Sequence, residues 1–496
     1  MSPMVGQQFI GGEWQAGQGQ VWQRVSPSDG ALVWDGAFAS TDQVQAAVEA
    51  AHRSFPEWAE TSLESRIDLC RAFEAEVREK SDELATLIAT ENGKPLWEAK
   101  TEVAASIAKV KNSIDSIMQR RWTTTEQIGD FRAVTRYRPH GVMFVIGPFN
   151  FPSHVPGGHI IPALLAGNTL VFKPSEHVPA VGQWLAETWH RVGLPAGVLN
   201  LVHGAGDAGN VAVESKLVDG VLFTGSRRVG TILHEKMAGQ PHRVLALEMG
   251  GNNPLVIHNT SDIEGAATTT ILSAYITSGQ RCTCSRRLIV TGEDSYKAVV
   301  EKLTELVPQI QFGLSLDEVQ PFMGPLIHKQ AADQLLEAQE RFRSSGSKVL
   351  VEMKRDPRSE ALVSPCLIEL GREQVVDDCE YFGPLMTVQM ASDLDEAISI
   401  AGNTEYGLSA GFFGDEVDDF HYFLHRIRAG VVNWNRQTTG ASGRLPFGGA
   451  GMSGNHHPSG FHAADYCSYP IASLESHELS EAKKKVPGLG FTGNAD

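Results

Sequence analysis

The chain has little cysteine, a deficit of basic charge and no long apolar run. Its 496 residues include six cysteines, too few to indicate a disulfide framework. Basic residues number 42 against 59 acidic ones, and the net charge is −17. This balance argues against nucleic acid or an anionic membrane as the main partner, because both need a basic surface. A metal site is not expected, since Cys282 and Cys284 lack a second pair at zinc spacing.

The sequence also predicts neither a targeting segment nor a membrane-spanning segment. The opening residues carry neither a basic segment nor a continuous apolar stretch, so no secretory signal is expected. No eighteen apolar residues follow one another, which predicts no membrane span. Together with the few cysteines, these features predict a reducing, cytoplasmic setting.

Residues 142–256 alternate short apolar strands with helical stretches. Strands are predicted at 142–146, 169–172, 198–202, 218–223 and 244–247. This alternation predicts an α/β fold with a parallel, doubly wound sheet, whose ligands bind at the carboxyl ends of the strands. A second α/β region is predicted for residues 255–443. With a length that favours two or three domains, the chain is expected to divide between these regions.

Other segments predict local structure around these regions. Helical patterns cover residues 99–118 and a stretch after Ser81, which is predicted to be a helix N-cap. Residues 121–139 show a period of two with a mostly charged outer face, which predicts a β-hairpin. Residues 467–471 predict a strand that pairs with another subunit.

Cys282 lies in the stretch QRCTC at residues 280–284. A helical pattern at 263–276 precedes it and an apolar run at 288–290 follows it. The thiol is therefore predicted on a short turn between a helix and a strand, where its sulfur can face a cleft. A small, buried and inert cysteine is the alternative.

Two glycine-rich turns are candidate phosphate-binding elements. Residues 204–209 fit the pattern G-x-G-x-x-G, but the helix predicted after them is short, which weakens the assignment. The stronger candidate follows the strand ending at residue 223, because a helix begins at once and its first N–H groups can hold a pyrophosphate. Its residues are Gly225, Ser226, Arg227, Arg228, Val229 and Gly230. A simple N-cap by Ser226 is the alternative.

Four polar residues stand at predicted strand ends. Lys173 and Glu176 can bind ribose hydroxyls, and Glu176 would repel a 2′-phosphate, which favours NAD over NADP. Glu248 ends an apolar strand, where desolvation would raise its pKa towards that of a useful base. The Asn150 amide can donate to an oxyanion. The structural alternatives are an acidic helix start for Glu176, a solvated strand end for Glu248 and a proline-linked turn for Asn150.

These motifs together resemble the NAD(P)-dependent aldehyde dehydrogenase superfamily over nearly the whole chain. Seven motifs in the family's order carry the resemblance: GPFNFP at 147–152, KPSE at 173–176, FTGS at 223–226, LEMGG at 247–251, GQRC at 279–282, EYFGP at 380–384 and PFGG at 446–449.

The resemblance implies a role for each matching position. Cys282 becomes the nucleophile, Glu248 the base and Asn150 the oxyanion donor. Glu380 would hold the nicotinamide ribose of NAD, with Phe382 against the ring. The implied chemistry is the NAD-dependent oxidation of a small-molecule aldehyde through a thiohemiacetal and a thioester.

The resemblance also implies three structural parts and a homo-oligomer. A Rossmann-type NAD-binding domain would comprise residues 1–122 and 142–247, and an α/β catalytic domain residues 248–450. A small β oligomerisation element would comprise residues 123–141 and 465–490. Both dimers and tetramers are compatible with such an element.

Finer details resemble one subgroup, the N-succinylglutamate 5-semialdehyde dehydrogenases of the arginine succinyltransferase pathway. Asn252 stands where many relatives carry lysine, Gly451 replaces the common lysine of the glycine motif, and the subgroup shares both departures. Because that substrate carries two carboxylates, Arg281 and Arg444 are candidate substrate-binding residues, with Arg436 as a further one. A surface or salt-bridged arginine is the alternative at each position.

Two other functions stay open. One is a dehydrogenase of another acidic semialdehyde, such as succinate semialdehyde or glutamate 5-semialdehyde. The other is a catalytically silent homologue kept as a binding or structural protein, which intact Cys282, Glu248 and Asn150 argue against.

Overall fold

The computed structural model describes residues 2–372, 374, 377–477, 479 and 487–488. Short strands open the chain: β1 (Met4–Val5), β2 (Gln7–Ile10), β3 (Glu13–Ala16), β4 (Val21–Val25) and β5 (Leu32–Ala37). β2 and β3 extend the edge of a large sheet, whereas β1, β4 and β5 form a small sheet of their own. The N-terminal residues therefore brace a domain that lies further along the chain.

Helices follow these strands: α1 (Thr41–Glu60), α2 (Leu63–Glu79), α3 (Ser81–Asn92) and α4 (Leu96–Arg120). The prediction of Ser81 as the N-cap of α3 is wrong. Lys80 occupies that position, and it makes no side-chain capping bond. Lys80 is the only residue between α2 and α3, and Ser81 already belongs to α3. Ser81 therefore cannot adopt the extended backbone of an N-cap residue.

The hairpin predicted at residues 121–139 is present as β6 (Thr124–Ile128) and β7 (Phe131–Pro139). Between this hairpin and residue 250 the alternating elements are β8 (Val142–Ile146), α5 (His154–Ala166), β9 (Thr169–Lys173), α6 (Pro179–Arg191), β10 (Leu199–Leu201), α7 (Gly206–Glu214), β11 (Gly220–Gly225), α8 (Arg227–Met237) and β12 (Val244–Met249). The strand order is β12-β11-β8-β9-β10-β2-β3. The first five strands are parallel, which is the doubly wound arrangement that the sequence predicts.

The side chains of β8 show why this sheet carries helices on both faces. Val142, Phe144 and Ile146 belong to one buried cluster, whereas Met143 and Val145 belong to another. Successive strand residues point to opposite faces, so an all-apolar strand packs against a layer on each side.

The second α/β region contains β13 (Asn253–Ile257), α9 (Ile263–Tyr275), β14 (Ser285–Thr291), α10 (Glu293–Leu306), α11 (Lys329–Ser344), β15 (Lys348–Val351), β16 (Cys366–Glu369), β17 (Leu385–Ala391), α12 (Leu394–Gly402), β18 (Ser409–Phe413), α13 (Val417–Leu424) and β19 (Val431–Trp434). Its strand order is β15-β16-β17-β14-β13-β18-β19. All neighbours except β15 and β16 are parallel. The chain leaves the first sheet after Met249, and the predicted domain limits themselves stay predictions.

The chain then forms β20 (Pro446–Phe447), β21 (Ser459–Gly460), α14 (Ala463–Tyr466) and β22 (Ser468–Glu475). β22 pairs antiparallel with β7 of the same chain and lies at the edge of this sheet. The predicted pairing of the tail strand with another subunit stays a prediction. Glu475 forms ion pairs with Arg132 and Arg136 of β7, so complementary charge fixes this register. Most of the predicted tail beyond residue 477 lies outside the described residues.

Three simpler properties follow from the described part of the chain. No helix there is both long and apolar enough to cross a membrane. All six cysteines are free thiols. No group of three or more His, Cys, Asp or Glu side chains in these ranges is arranged to hold a metal ion.

Candidate active site

The predicted polar residues lie at the carboxyl ends of three neighbouring strands. Asn150 follows β8 and the Gly225 turn ends β11, and the strand order reverses between these two strands. Glu248 lies near the end of β12, in register with Thr224 of β11. Ligands of doubly wound sheets bind at such a reversal. The structure therefore brings Asn150, Glu248 and the glycine turn to one edge of the sheet.

Cys282 follows a backbone segment of unusual conformation. After α9, the residues Thr277, Ser278 and Gly279 have φ angles of 57°, 53° and 70°. Positive φ is costly for a β-branched residue such as threonine and persists only where surrounding contacts impose it. The helix thus ends in a tight left-handed turn that delivers Cys282 to the site.

Contacts from distant segments hold this turn. The Ser278 hydroxyl donates to the Gly324 carbonyl at 2.6 Å, and the Ile327 N–H donates to Gln280 Oε1 at 3.0 Å. Asn253 Nδ2 donates to the carbonyl oxygens of Cys282 and Cys284 at 2.7 and 2.9 Å. These bonds position the nucleophile loop from both sides.

Gly279→Ala is expected to destabilise the protein by about 3 kcal/mol and to abolish activity. Its φ is +70°, and an added Cβ would stand 2.0 Å from the Gly383 carbonyl oxygen. Gly346→Ala is the matched control, because Gly346 has φ +90° with nothing within 4 Å of an added Cβ. The control should cost only about 1 kcal/mol. Thermal unfolding and aldehyde oxidation of both variants check this; equal losses in the two would contradict it.

Asn150 is buried and fixed through its own backbone. Its carbonyl oxygen accepts from Lys94 Nζ at 2.7 Å and from Asn92 Nδ2 at 3.2 Å. Its Nδ2 donates to the Gln280 carbonyl at 2.9 Å, two residues from Cys282. Because an amide nitrogen carries two hydrogens, one stays available for a second acceptor. This geometry fits the predicted oxyanion donor.

Glu248 is 3% exposed. Its Oε1 accepts from the Ser459 N–H at 3.2 Å, while its Oε2 is buried without a hydrogen-bond partner among the described residues. Burial raises the pKa of this carboxyl well above its ordinary range, and the Ser459 bonds oppose the shift only in part. A carboxylate with a raised pKa and an unshared oxygen is suited to accept a proton.

Glu380 is a second carboxylate near Cys282, and it is half-buried. Its Oε1 accepts from the Gly251 N–H at 3.1 Å. Burial raises its pKa to about 7, against the lowering effects of Arg286 and the Gly251 bond. Phe382 lies under the Arg286 guanidinium, 5.5 Å from ring centroid to the charge. The predicted ribose and ring contacts of Glu380 and Phe382 stay predictions.

Charged groups of both signs act on the thiol of Cys282. Burial raises its pKa to about 12, and the charges of Glu380 and Glu248 act in the same direction, whereas Arg286 opposes them. Arg286 also donates to the carbonyl oxygens of Gly383 and Arg281 at 3.2 and 3.0 Å. Thiolate formation is therefore favoured when the two carboxyls are neutral and disfavoured when both are charged.

The predicted cofactor turn begins a helix, as expected. Ser226 caps α8 by accepting from the Val229 N–H at 3.4 Å, so its N-cap role is real. The first N–H groups of the helix, from Arg227 and Arg228, have no partner within the helix. The Arg227 side chain instead pairs with Glu405. An added Cβ at Gly230 would meet Met249 Sδ at 2.2 Å, which requires glycine there.

Lys173 and Glu176 lie side by side after β9. Lys173 Nζ donates to the carbonyl oxygens of Pro174 and Gly204 at 3.0 and 2.8 Å and stands 3.8 Å from Glu176 Oε2. Burial lowers the pKa of Lys173. Burial acts to raise the pKa of Glu176, but the charge of Lys173, a backbone hydrogen bond and the charges of His177 and His328 together hold it below the ordinary range. Both side chains are thus held beside each other at the sheet edge.

The weaker glycine motif has a mainly structural explanation. The helix near residues 211–215 is longer than predicted, since α7 already begins at Gly206, inside the motif. An added Cβ on Gly204 would come within 2.4 Å of Ala208 Cβ. Glycine at this position lets the strand and the helix pack closely.

The candidate substrate arginines differ in their surroundings. Arg281 Nη2 donates to Glu98 Oε1 at 2.6 Å, and the Glu98 side chain is fully buried. Arg281 Nε donates to Thr277 Oγ1 at 2.6 Å. Arg444 and Arg436 are exposed. The substrate contacts stay predictions; for Arg281 such a contact would compete with Glu98.

Sequence reasoning missed a set of buried charges beside these residues. Lys94 pairs with Glu102 at 2.7 Å with both side chains fully buried, and Glu98 and Arg286 are equally hidden. A signal was present in α4, where Glu98, Glu102 and further polar residues recur at spacings of three and four on the face that also carries buried apolar side chains. Polar residues at core spacing indicate a buried network.

The family model for the aldehyde dehydrogenase family matches residues 14–470 of the chain. The chain belongs to the aldehyde dehydrogenase family. The enzyme class and the fold class predicted from the sequence are both confirmed at this level.

Solved structures of other aldehyde dehydrogenases agree. An NAD-dependent aldehyde dehydrogenase from Sinorhizobium meliloti is 30% identical, with 95% of each chain covered and a TM-score of 0.90. A 1-pyrroline-5-carboxylate dehydrogenase from Thermus, solved with bound NAD, is 28% identical over 95% of this chain and 93% of that chain, with a TM-score of 0.90. An NADP-dependent enzyme from E. coli is 29% identical over 95% and 98%, with a TM-score of 0.90.

Proposed function

We propose that this aldehyde dehydrogenase oxidises N-succinyl-L-glutamate 5-semialdehyde to N-succinyl-L-glutamate with NAD, in the arginine succinyltransferase pathway of arginine catabolism. The observation that carries the chemistry is the convergence of Cys282, Asn150 and the buried Glu248. The substrate assignment is supported by Asn252 and Gly451, the departures that the chain shares with that subgroup.

The residues at the sheet edge fit NAD. The free N–H groups at the start of α8 and the helix dipole suit a pyrophosphate. Glu380 is half-buried and accepts a single hydrogen bond among the described residues, which leaves its second oxygen for a ribose hydroxyl. Lys173 and Glu176 supply a donor and an acceptor for a second ribose. When bound, NAD would accept the hydride that leaves the aldehyde carbon.

The reaction would begin with attack of the Cys282 thiolate on the aldehyde carbon. The resulting oxyanion would receive hydrogen bonds from Asn150 Nδ2 and the Cys282 N–H, which stabilise the negative charge as it develops. Loss of hydride leaves a thioester on Cys282. Glu248 then takes a proton from water, which attacks the thioester and releases the acid and the thiolate.

Glu248 also bears on the fate of the thioester. Transfer of the acyl group to a thiol or to phosphate would need no such base, because those acceptors are already good nucleophiles. The buried, unshared oxygen of Glu248 therefore supports hydrolysis to a free acid as the final step.

Glu176→Gln is expected to reduce the preference for NAD over NADP by about tenfold, because the variant no longer repels a 2′-phosphate. Glu187→Gln is the matched control on α6, where the carboxylate pairs with Arg191 at 3.9 Å. Comparing kcat/KM for both coenzymes in the three proteins checks this. An unchanged ratio in Glu176→Gln would remove Glu176 from coenzyme selection.

NADH formation with N-succinylglutamate 5-semialdehyde, succinate semialdehyde, glutamate 5-semialdehyde and propanal tests the proposed function. A clear preference in kcat/KM for the first supports it. Preference for another acidic semialdehyde would keep the chemistry and overturn the pathway assignment. Absence of any NADH with all four would favour a catalytically silent homologue.

A homo-oligomer and a cytoplasmic setting also stay proposals. Contact between subunits is proposed at the sheet of β6, β7 and β22, where Ile128 and Leu474 are 54% and 67% exposed. Apolar side chains at that level of exposure on strands suit a partner surface. Sedimentation analysis of the protein would distinguish dimer from tetramer.

A further inference from the structure

Lys109 is a buried cation without a counter-charge. It lies on α4 and is 6% exposed. The described residues give it neither an ion pair nor a hydrogen bond, and burial alone lowers the pKa of its ammonium to about 8. Lys94, which is just as deeply buried, instead pairs with Glu102 at 2.7 Å. An unpaired buried charge is costly, so one that is kept in a fold points to a role with an anion.

The position of Lys109 is beside the catalytic turn. One turn earlier on α4, Ser106 Oγ lies 3.0 Å from Ser153 Oγ, three residues after Asn150. Lys109 Nζ lies against α5, 3.6 Å from the place where a Cβ on Gly158 would stand. A Cβ at residue 158 would be in ordinary van der Waals contact with the ammonium, so the ammonium packs directly against the backbone of this glycine.

Charges of both signs lie near this place, and Glu102 Oε1 accepts from the Ser153 and His154 N–H groups at 2.9 and 3.2 Å. The pKa of His154 lies well below its ordinary range, first because of burial and then because of the charges of Lys109, Lys94 and Arg281. The Nδ1 of this neutral ring is buried without a hydrogen-bond partner in the described chain. Lys94 and Arg281 are compensated by Glu102 and Glu98. Lys109 therefore carries the uncompensated charge of this group.

The loop with the predicted substrate arginine borders the same helix. An added Cβ on Gly443, next to Arg444, would meet Asn112 Nδ2 at 2.8 Å. Asn112 lies three residues after Lys109 on α4, so both positions stand on neighbouring turns. Lys109 is buried and Arg444 exposed, which places one cation inside the protein and one at its surface.

We propose that Lys109 binds a carboxylate of the acidic semialdehyde, at the end of the substrate remote from the carbon that Cys282 attacks. This proposal rests on the proposed function, because only a substrate with a carboxylate in addition to its aldehyde group uses such a residue. The Lys109 ammonium would donate hydrogen bonds to the carboxylate, and Gly158 would leave room for it. A dicarboxylate would place its other anionic group towards the exposed Arg444.

The test compares Lys109→Met with Lys111→Met in the full-length enzyme. Lys111 is exposed on the same helix and pairs with Asp115 at 2.6 Å, so it controls for loss of a positive charge. Lys109→Met is expected to raise the KM for N-succinylglutamate 5-semialdehyde about 100-fold with little change in kcat. Its kcat/KM for propanal should stay unchanged. Lys109→Arg should recover part of the loss, and Lys111→Met should match the wild type.

Equal losses with propanal and the semialdehyde would overturn the proposal, since they indicate a purely structural role. An unchanged KM in Lys109→Met would overturn it as well. Inhibition of propanal oxidation by N-succinylglutamate and glutarate separates the two proposals. If the wild type lacks any preference for the succinylated semialdehyde but Lys109→Met weakens this inhibition, the proposed function falls and the carboxylate site stands. Equal inhibition of the wild type and of Lys109→Met would overturn the proposed carboxylate site.

Discussion

Cys282→Ser is expected to lower kcat for aldehyde oxidation by about 10⁴-fold or more. A serine hydroxyl stays protonated at neutral pH and is a much weaker nucleophile than a thiolate. No other group at the sheet edge can form the covalent intermediate from which hydride leaves. The measurement is NADH formation under saturating aldehyde and NAD, with thermal unfolding as the check that the variant folds.

The neighbouring thiol provides a matched control. Cys284 is fully buried, and its sulfur lies 3.8 Å from the Ile276 carbonyl oxygen. Because its sulfur is hidden from the site, whereas that of Cys282 is partly exposed, Cys284 is not expected to act as a nucleophile. Cys284→Ser keeps a donor towards Ile276 and should retain most of the activity. Severe loss in Cys284→Ser with normal turnover in Cys282→Ser would reverse the assignment of the nucleophile.

Alkylation gives a second readout of the same prediction. Cys282 is partly exposed at the site, whereas Cys284 is hidden. Iodoacetamide should therefore inactivate the wild type with modification of Cys282. Because Glu380 and Glu248 act with burial to raise the Cys282 pKa, the rate should rise with pH as more thiolate forms. Peptide mass spectrometry identifies the modified residue.

The residues at strand ends were predictable because two regularities combine there. An apolar run marks a buried strand, and in a parallel sheet all such strands end at one edge. Asn150, Lys173 and Glu248 each follow such a run, and the structure brings them to that edge. The prediction of these site residues needed only three local features of the sequence: an apolar strand, a turn after it and a polar residue in that turn or at the strand end.

Buried charges on helices were not predictable in the same way. Glu98 pairs with Arg281 and Glu102 with Lys94. Neither pair has the i, i+3 or i, i+4 spacing that would reveal it in the sequence. A charged residue on a helix is most often exposed. The spacing of polar residues on α4 indicates a buried network, but the partners of these side chains around the nucleophile needed the tertiary structure.

One local signal failed because its context overrode it. Ser81 is a good capping residue, yet Lys80 alone joins α2 to α3 and takes the cap position. Intrinsic propensity shows which conformations a residue can adopt. The length of the connection and the neighbouring elements decide which of them it adopts.

Glu248→Gln is expected to lower steady-state turnover by about 10²–10³-fold while leaving the first turnover intact. The amide keeps the size and the hydrogen-bonding capacity of the side chain but cannot take a proton from water. NADH should therefore appear as a rapid burst of about one equivalent per active site, followed by slow release of acid. Stopped-flow measurement of NADH separates the two phases.

The pH dependence follows from the direction of the Glu248 pKa. Burial raises this pKa well above the ordinary carboxyl value, so the protonated form persists to higher pH than in water. Only the ionised form can act as the base, and hydrolysis of the thioester should accelerate as pH rises through the pKa. In Glu248→Gln this acceleration should disappear from the second phase while the burst is unchanged.

Hydroxylamine distinguishes a catalytic role of Glu248 from a structural one. This nucleophile attacks a thioester without the help of a general base, so it should restore turnover of Glu248→Gln towards the wild-type rate. Loss of the burst together with a lower unfolding temperature would mean that the substitution had disturbed the site itself. The contact of Glu248 Oε1 with the Ser459 N–H at 3.2 Å can be kept by the glutamine oxygen. A preserved burst, a flat pH profile and rescue by hydroxylamine would together identify the Glu248 carboxylate as the base that completes the reaction.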